Sequence, residues 1–390
     1  METTRFCPST QLQPGDICAQ TVRTPSGRTI AAGTPLSPAD IQELRTLPGI
    51  HVRRTIDEAA RAKAMPLALR AYFGQDVCSP VGQTLLQLRA QAEAERLLRG
   101  LPPLAPATPR SAAITPPSLP PAVDLASFEP PELPASVQQL LGALAEDSVD
   151  AEKITRIVAQ SPSLAGRLLK LVNSPAFGMP RRVDRIDRAV VLVGARELGL
   201  LATSILLIEH FGVVSRAMVD MRTFFAHSIA VAAAARHLAQ SAQPQMAETA
   251  FAAGLLHDMG RLLCLSIFPE RAKVCLEWCR AHGRMVREVE AAFFGHEHAS
   301  LGGAVLAAWN LPEPIVQAVA GHHAPQGFLA AVIHLADCLA HAAALGANGD
   351  PVPPRAHAQA LELAHLSPET LMDAAGAAQA NTDAFLAALT

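Results

Sequence analysis

Aromatic residues are scarce in this chain of 390 residues, at 4% of the total, and β-branched residues become sparse after about residue 135. Strands favour both classes, whereas alanine and leucine, which dominate here, favour helices. Half of the residues are hydrophobic, so the chain can bury a sizeable core. We therefore expect a mainly α protein with two or three domains.

Runs of basic residues are also absent, and the formal net charge is -3. Because a nucleic-acid surface needs clustered Lys and Arg, direct nucleic-acid binding is not expected. The seven cysteines form no CxxC pair, which favours free thiols in a reducing compartment. The N-terminus lacks the features of a signal peptide, and no apolar run looks long and charge-free enough to span a bilayer. These absences predict a cytoplasmic protein without a membrane partner.

The N-terminal part of the chain, residues 1–100, is predicted to form a small β-rich module followed by helices. Turn signals divide residues 6–56 into short segments, a pattern that is typical of short strands. Within this module Ser37 is well placed to cap a helix that begins at Pro38. Residues 57–99 have the composition of one or two amphipathic helices.

A proline-rich segment comes next. There are eleven prolines between residues 102 and 134, and each one fixes its φ angle and lacks a backbone donor. Neither a helix nor a central strand persists through that density, so residues 101–131 are predicted to be a linker.

From residue 132 the chain has continuous helical character, and we assign residues 132–345 to one helical domain. Asp150 and Ser161 stand where helix N-caps are expected. Residues 346–390 are predicted to be a helical C-terminal tail whose last helix starts near Pro368.

One motif in the helical region is specific. Residues 171–178 read Leu-Val-Asn-Ser-Pro-Ala-Phe-Gly, and residues 186–194 read Ile-Asp-Arg-Ala-Val-Val-Leu-Val-Gly. Together they resemble the HDOD family, the HD-related output domains of bacterial signalling proteins. The resemblance implies an HD-type helical bundle, which would follow the small β-rich module predicted above. It also implies a signal-transduction role and, for such a domain, signalling proteins as partners.

Polar residues recur in this otherwise apolar region, beginning with the adjacent pair His257 and Asp258. Burying an imidazole and a carboxylate side by side costs several kcal/mol unless something pairs with them. Helices can direct such side chains to a common centre in a bundle, where they bind one or two metal ions. The candidate ligands are His227, His257, Asp258, His298, His322, His323 and Asp337.

These positions match the order of ligands in the HD superfamily. In its hydrolases the metals activate a bridging water for attack on phosphorus, and Asp258 would then be the catalytic carboxylate. The ligand set suits Fe, Mn or Zn. The alternative is a hydrogen-bonded polar network that persists without metal, because deleting one member would leave its partners unsatisfied. The sequence leaves metal occupancy open.

Three departures from the HD-GYP phosphodiesterases, which cleave cyclic di-GMP, bear on activity. The His322-His323 pair is not followed by Gly-Tyr-Pro, and Thr223 stands where many of those enzymes carry an acidic ligand. Arg261 occupies the position of their general-acid lysine, and an arginine cannot release a proton at neutral pH.

We therefore expect a signal-transduction protein whose HDOD domain is a non-catalytic output or protein-interaction module. The first alternative is a metal-dependent phosphohydrolase or cyclic-dinucleotide phosphodiesterase. The second is a sensor that binds a nucleotide, such as cyclic di-GMP, without turnover. Arg181, Arg182 and Arg185 form a small basic patch, which is either a solvated face or a contact for a phosphate or carboxylate.

Overall fold

The computed structural model describes residues 2–8, 12, 16–47, 49–55, 58–72, 75–104, 116, 129–146, 148–179, 181–212 and 218–388. Most of the predicted proline-rich linker, residues 105–115 and 117–128, lies outside the described residues. The chain is mainly α with a small N-terminal sheet, which confirms the predicted fold class.

The described residues of the N-terminal module form five strands and one helix. In chain order these are β1 (Glu2–Pro8), β2 (Ile17–Cys18), β3 (Val22–Arg23), β4 (Thr29–Ile30), α1 (Pro38–Leu44) and β5 (Gly49–Thr55). β5 lies in the middle of an antiparallel three-stranded sheet between β1 and β2, while β3 and β4 form a hairpin. A separate small core fills this module, built around Cys18, Leu36 and Leu44.

The rest of the described chain is helical. The helices before the HDOD-like motif are α2 (Glu58–Ala71), α3 (Pro80–Leu98), α4 (Ala135–Leu144), α5 (Ala151–Ala159) and α6 (Pro162–Val172). After it follow α7 (Ile186–Val193), α8 (Ala195–Phe211), α9 (Met221–Ala242), α10 (Ala247–Leu256), α11 (Met259–Ile267), α12 (Pro269–His282) and α13 (Arg287–Phe294). The last are α14 (His298–Ala308), α15 (Glu313–Gly321), α16 (Phe328–Ala342), α17 (Ala360–Leu363) and α18 (Pro368–Ala388).

The predicted helix starts are confirmed by their caps. The Ser37 hydroxyl accepts a hydrogen bond from the Asp40 amide, and the Asp40 carboxylate accepts one from the Ser37 amide. The two residues thus satisfy each other's backbone donors at the start of α1. Asp150 and Ser161 cap α5 and α6 by accepting from the Glu152 and Leu164 amides, without the reciprocal bond seen at Ser37. The last helix begins at Pro368, as predicted.

A single large core joins nearly all the helices. α9 is its central element and packs against α10, α16 and α18. α3, from the N-terminal part of the chain, contributes Leu85 and Leu88 to this same core and packs against α16. The helical domain therefore shares apolar contacts with elements at both ends of the chain.

One stretch among the described residues, Pro244–Ile267, is long and apolar enough to cross a membrane by length and composition. The expectation that no run reaches that length is therefore wrong. The helices α7 and α8, which meet at a sharp bend, are long and apolar enough only if the two are counted together as one span. Within the structure 89% of the Pro244–Ile267 window is buried, as in the core helix of a soluble protein.

Candidate functional site

All seven predicted ligand residues converge on one buried centre. They come from helices that are distant in the sequence, and each has at most 9% of its surface exposed. The residues are His227 on α9, His257 and Asp258 in the break between α10 and α11, His298 at the start of α14, His322 and His323 after α15, and Asp337 on α16.

Two glycines let these helices approach closely. A Cβ on Gly254 would lie 2.6 Å from the Ala232 Cα on α9, and one on Gly260 would lie 1.9 Å from the His298 carbonyl oxygen. Any larger side chain at either position would separate the helices. The glycines that flank His257 and Asp258 therefore set the width of the cluster.

One half of the cluster combines two histidines with two carboxylates. His227 Nε2 lies 3.2 Å from Asp337 Oδ1. His257 Nε2 lies 3.4 Å from Asp258 Oδ2 and 3.9 Å from Asp337 Oδ1. The Nε2 atoms of both histidines therefore face the carboxylates.

The other half is built from histidines, with Asp258 shared between the two. Asp258 Oδ1 lies 3.2 Å from His298 Nε2, which in turn is 3.1 Å from His323 Nε2. The imidazole rings of His322 and His323 lie side by side with centroids 4.0 Å apart. One carboxylate thus links two groups of imidazoles, as a bridging ligand would.

Backbone carbonyls accept hydrogen bonds from two of these imidazoles. His257 Nδ1 lies 2.8 Å from the Gly254 carbonyl oxygen, and His322 Nδ1 lies 2.6 Å from that of Val319. A carbonyl oxygen can only accept, so each Nδ1 carries a proton, and a neutral His322 therefore presents a lone pair at its buried, unpartnered Nε2. His257 Nε2 instead faces Asp258 and Asp337, whose charges raise the pKa of its imidazole against the effect of burial.

The protonation states follow from charge and burial. Burial opposes ionisation of Asp258, but Arg261 and His257 outweigh it and hold the pKa of that carboxyl well below its usual range. Burial also opposes a charge on His298, yet the Glu290 carboxylate raises the pKa of its imidazole to about 9. Burial, with His298 nearby, lowers the pKa of His322 to about 3. The centre therefore holds ionised carboxylates beside both charged and neutral imidazoles.

Sequence reasoning missed four contributors. Glu290 on α13 accepts from His298 Nδ1 at 2.7 Å and from the His298 amide at 2.9 Å. His341 lies one helical turn after Asp337, with Nε2 3.4 Å from its Oδ1. The i, i+4 spacing on α16 was a signal for His341. Asn348 and Asp350 follow α16 in an irregular segment, where no periodicity marks them.

The segment 346–350 seals one side of the cluster. Asn348 Nδ2 donates to Asp258 Oδ2 at 2.7 Å and lies 3.5 Å from His227 Nε2. The Asp350 amide donates to Asn348 Oδ1 at 3.2 Å, which fixes the side-chain amide with its NH2 group toward the cluster. Asn348 therefore directs N–H donors at the atoms that would ligate a metal.

Arg261 adds a fixed positive charge beside Asp258. Its guanidinium forms an ion pair with Asp350, and its Nε lies 3.6 Å from Asp258 Oδ1 and 3.9 Å from Glu290 Oε1. The side chain is buried, and the carboxylates raise its pKa well above the usual value against the effect of burial. Arg261 cannot act as a general acid here, as the sequence indicated.

The donor set fits a divalent metal. Three groups of buried side chains have ligand atoms within 4.8 Å of one another: His298, His322 and His323; His227, His257 and Asp258; and His227, Asp337 and His341. The unpartnered Nε2 atom of His322 has the chemistry of a zinc, iron or manganese ligand. A metal held there would polarise a phosphoryl oxygen or lower the pKa of a bound water.

A family model for the HDOD domain matches residues 131–325, which is half of the chain. The chain belongs to the HDOD domain family. The matched HDOD residues include α4 to α15 and six of the seven predicted ligands. Asp337, Asn348 and Asp350 lie beyond the match, so elements outside the HDOD model complete this cluster.

A curated relative of this HDOD protein is an uncharacterized protein of Treponema pallidum, which is 30% identical over 183 residues. That match covers 46% of this chain and 35% of the relative, so this chain spans about a third of that protein.

Solved structures share the HDOD fold. An HDOD domain protein of unknown function from Geobacter sulfurreducens aligns with a TM-score of 0.51 and 23% identity, over 64% of this chain and 84% of that one. A Shewanella amazonensis protein provisionally named a phosphohydrolase aligns with a TM-score of 0.51 and 22% identity, over 66% of this chain and 96% of that one. A Marinobacter aquaeolei protein provisionally named a signal transduction protein aligns with a TM-score of 0.53 and 18% identity, over 86% of this chain and 66% of that one.

Proposed function

We propose that this HDOD protein is a bacterial signal-transduction protein of the cytoplasm and that its helical domain is a non-catalytic output module that binds other signalling proteins. The observation that carries the proposal is the Asn348 side chain, whose amide donates to Asp258 at the heart of the cluster. A catalytic Asp258 would need its lone pairs for a metal. Here the neutral side-chain amide of Asn348 donates to one of the lone pairs of Asp258.

Charge compensation supports the same function. Arg261 supplies one positive charge between Asp258, Glu290 and Asp350, and the protonated His298 supplies a second beside Asp258 and Glu290, so most of this buried negative charge is balanced without a divalent ion. Buried ionised groups persist when they are paired and hydrogen-bonded. The cluster can therefore act as a polar core that fixes the arrangement of the surrounding helices.

The limited access to the cluster also supports a non-catalytic role. Each of the seven predicted ligands is at most 9% exposed, and segment 346–350 covers the carboxylate side. A phosphoester must reach the metal-bound nucleophile within hydrogen-bonding distance for hydrolysis to occur. The closed cluster favours a structural role over turnover.

The second candidate function is a metal-dependent phosphohydrolase that acts on a nucleotide or cyclic dinucleotide, with Asp258 as its catalytic carboxylate. The unpartnered Nε2 atom of His322 favours it, because a lone pair aimed into a buried centre is typical of metal ligands. It requires the Asn348 amide to leave its position.

Metal content and hydrolysis should be measured together on protein purified without chelating resin. The full chain would be assayed on bis(p-nitrophenyl) phosphate and cyclic di-GMP with added Mn²⁺, Fe²⁺ or Zn²⁺. We expect no turnover above that of the metal alone, and no change in the double variant His257→Ala with Asp258→Ala.

The matched control is His210→Ala, which removes an exposed imidazole on α8. Metal-dependent hydrolysis that disappears in the double variant but survives in the His210 control would establish the second function instead. Stoichiometric metal without turnover, lost only on substitution of His257, would identify a structural metal in a non-catalytic domain.

A further inference from the structure

A cavity of about 780 Å³ lies apart from the His and Asp cluster. Residues of α6, α8, α9 and α18 line it, and the turn at Asn173 and Ser174 forms part of its wall. Its size falls in the range of small-molecule sites. α18 lies beyond the residues that the family model matches, so a helix outside that match forms part of the wall.

The wall is mainly apolar. Aliphatic and aromatic side chains from α8 and α9 line it, and several of them are only partly buried by their neighbours. The largest are Ile205, Ile208, Phe225 and Ile229. The hydrocarbon part of a ligand would cover this apolar surface, and removing that surface from water favours binding.

The polar groups of the wall are mostly in use already. Asn173 donates to the carbonyls of Leu169 and Val183 and accepts from the Val183 amide, all at 2.7 Å. Asn381 accepts from the Ala176 amide and donates to a carbonyl of its own helix. Among the described lining residues, the buried polar atom without a hydrogen-bond partner is Ser174 Oγ.

Charged side chains stand on one side of the same cavity. Lys170 and the exposed Arg182 line it, with Asp184 as the nearby carboxylate. Arg167 and Glu209 also line it and form an ion pair at 2.6 Å. The lining residues together carry three cations and two carboxylates, and this excess of one positive charge favours an anion over a cation.

We propose that this cavity binds an acyl carboxylate, with its hydrocarbon chain against α8 and α9 and its carboxylate near Ser174 Oγ and Arg182. A carboxylate can accept from the Ser174 hydroxyl, which otherwise has no partner. A nucleotide fits less well, since its base and sugar would bring many polar atoms to a wall with few free ones. This site goes beyond the function proposed above and does not depend on it.

The test is isothermal titration calorimetry on the full chain with dodecanoate, kept below its micelle concentration. Dodecyltrimethylammonium carries the same chain with the opposite charge, and GMP is the nucleotide probe. We expect one dodecanoate site per chain, binding of dodecyltrimethylammonium at least tenfold weaker, and no heat from GMP.

Paired variants locate the site. Ile205→Trp fills the cavity and should weaken dodecanoate binding at least tenfold, whereas Val191→Trp, at a position 83% exposed on α7, should leave it unchanged. Ser174→Ala and Arg182→Gln should each weaken binding about three- to tenfold. Arg188→Gln, an exposed arginine on α7 that does not line the cavity, is the control for charge.

Thermal unfolding of each variant shows whether it folds. Ser174→Ala and Arg182→Gln, which change the groups placed near the carboxylate, still test the site if Ile205→Trp fails to fold. Absence of saturable dodecanoate binding would overturn the proposal. Equal affinity for the cationic amphiphile, or binding that none of the cavity variants weakens, would overturn it as well. Binding of GMP that Ile205→Trp abolishes would assign the cavity to a nucleotide instead.

Discussion

At the scale of single residues, Asp258 carries most of the chemistry of the cluster. One oxygen accepts from Asn348, and the other lies near both His298 and Arg261. These partners stabilise the ionised carboxylate, which is why its pKa lies well below the usual value despite burial. In a hydrolase the same carboxylate would be needed to hold metal, so the groups that contact Asp258 distinguish the two proposed functions.

Asn348→Asp tests this arrangement, because it replaces the N–H donor 2.7 Å from Asp258 with another carboxylate. Without metal, the repulsion and the lost hydrogen bond should lower the free energy of unfolding by about 1–3 kcal/mol. Mn²⁺ or Zn²⁺ should restore much of that stability by ligating both carboxylates. Thermal unfolding in EDTA and with each metal measures both the loss of stability and its recovery.

Asn348→Ala is the control for that substitution, since it removes the donor without adding a ligand. It should lose stability in EDTA and gain nothing from metal. Melting temperatures equal to that of the unaltered protein for both variants in EDTA would show that Asn348 does not support the cluster.

At the scale of secondary-structure elements, the segment after α16 depends on one glycine. Gly346 has a φ of +75°, and a Cβ there would lie 2.2 Å from the His227 amide nitrogen. The Ala347 amide also donates to the Thr223 carbonyl at 3.0 Å, which holds the segment against the start of α9. This close approach brings Asn348 and Asp350 to the cluster.

Gly346→Ala should therefore loosen segment 346–350 and cost about 1–3 kcal/mol of stability through strain and the steric conflict. Gly376→Ala in α18 is the matched control, because a Cβ there meets nothing within 4 Å. It should be neutral or slightly stabilising. Hydrogen exchange should increase near residues 346–350 in the first variant only. Unchanged exchange there would mean that the segment tolerates a side chain.

The Ser37 and Asp40 cap should make the stability of α1 depend on pH. Hydrogen bonds from the Ser37 side chain and backbone, with Arg28 nearby, lower the pKa of the Asp40 carboxyl to about 2. Its unfolded pKa is about 3.9, so the stabilisation is complete above that pH and is lost as the pH falls toward 2. Hydrogen exchange of residues 38–44 should distinguish Asp40→Asn from the unaltered protein at pH 5 and much less at pH 2.5. An equal difference at both values would contradict this cap.

At the scale of the whole molecule, both ends of the chain pack onto the helical domain. α3 contributes to its core, and α18 packs along α9, the helix that carries His227. Residues 346–390, predicted as a tail, therefore supply both segment 346–350 and a helix of the main core.

Truncation tests how far the domain depends on that tail. A chain of residues 1–345 keeps every predicted ligand but loses Asn348, Asp350 and α18. We expect it to be far less stable than the full chain and to expose apolar surface of α9. Thermal unfolding and binding of a hydrophobic dye measure both effects, with removal of residues 389–390 as the control. Equal cooperative unfolding of the two chains would place the end of the domain at 345.

The helical class, the family, the caps at Ser37, Asp150 and Ser161, and the recurring polar side chains of the cluster could all be predicted from the sequence. These features depend on local propensity, short motifs and the cost of burying charge, all of which can be recognised along the chain. The contacts of Glu290, Asn348 and Asp350 with the cluster became apparent only in the folded chain. Their positions depend on contacts between residues as far apart as Asp258 and Asn348, and an irregular segment carries no periodic signal for such contacts.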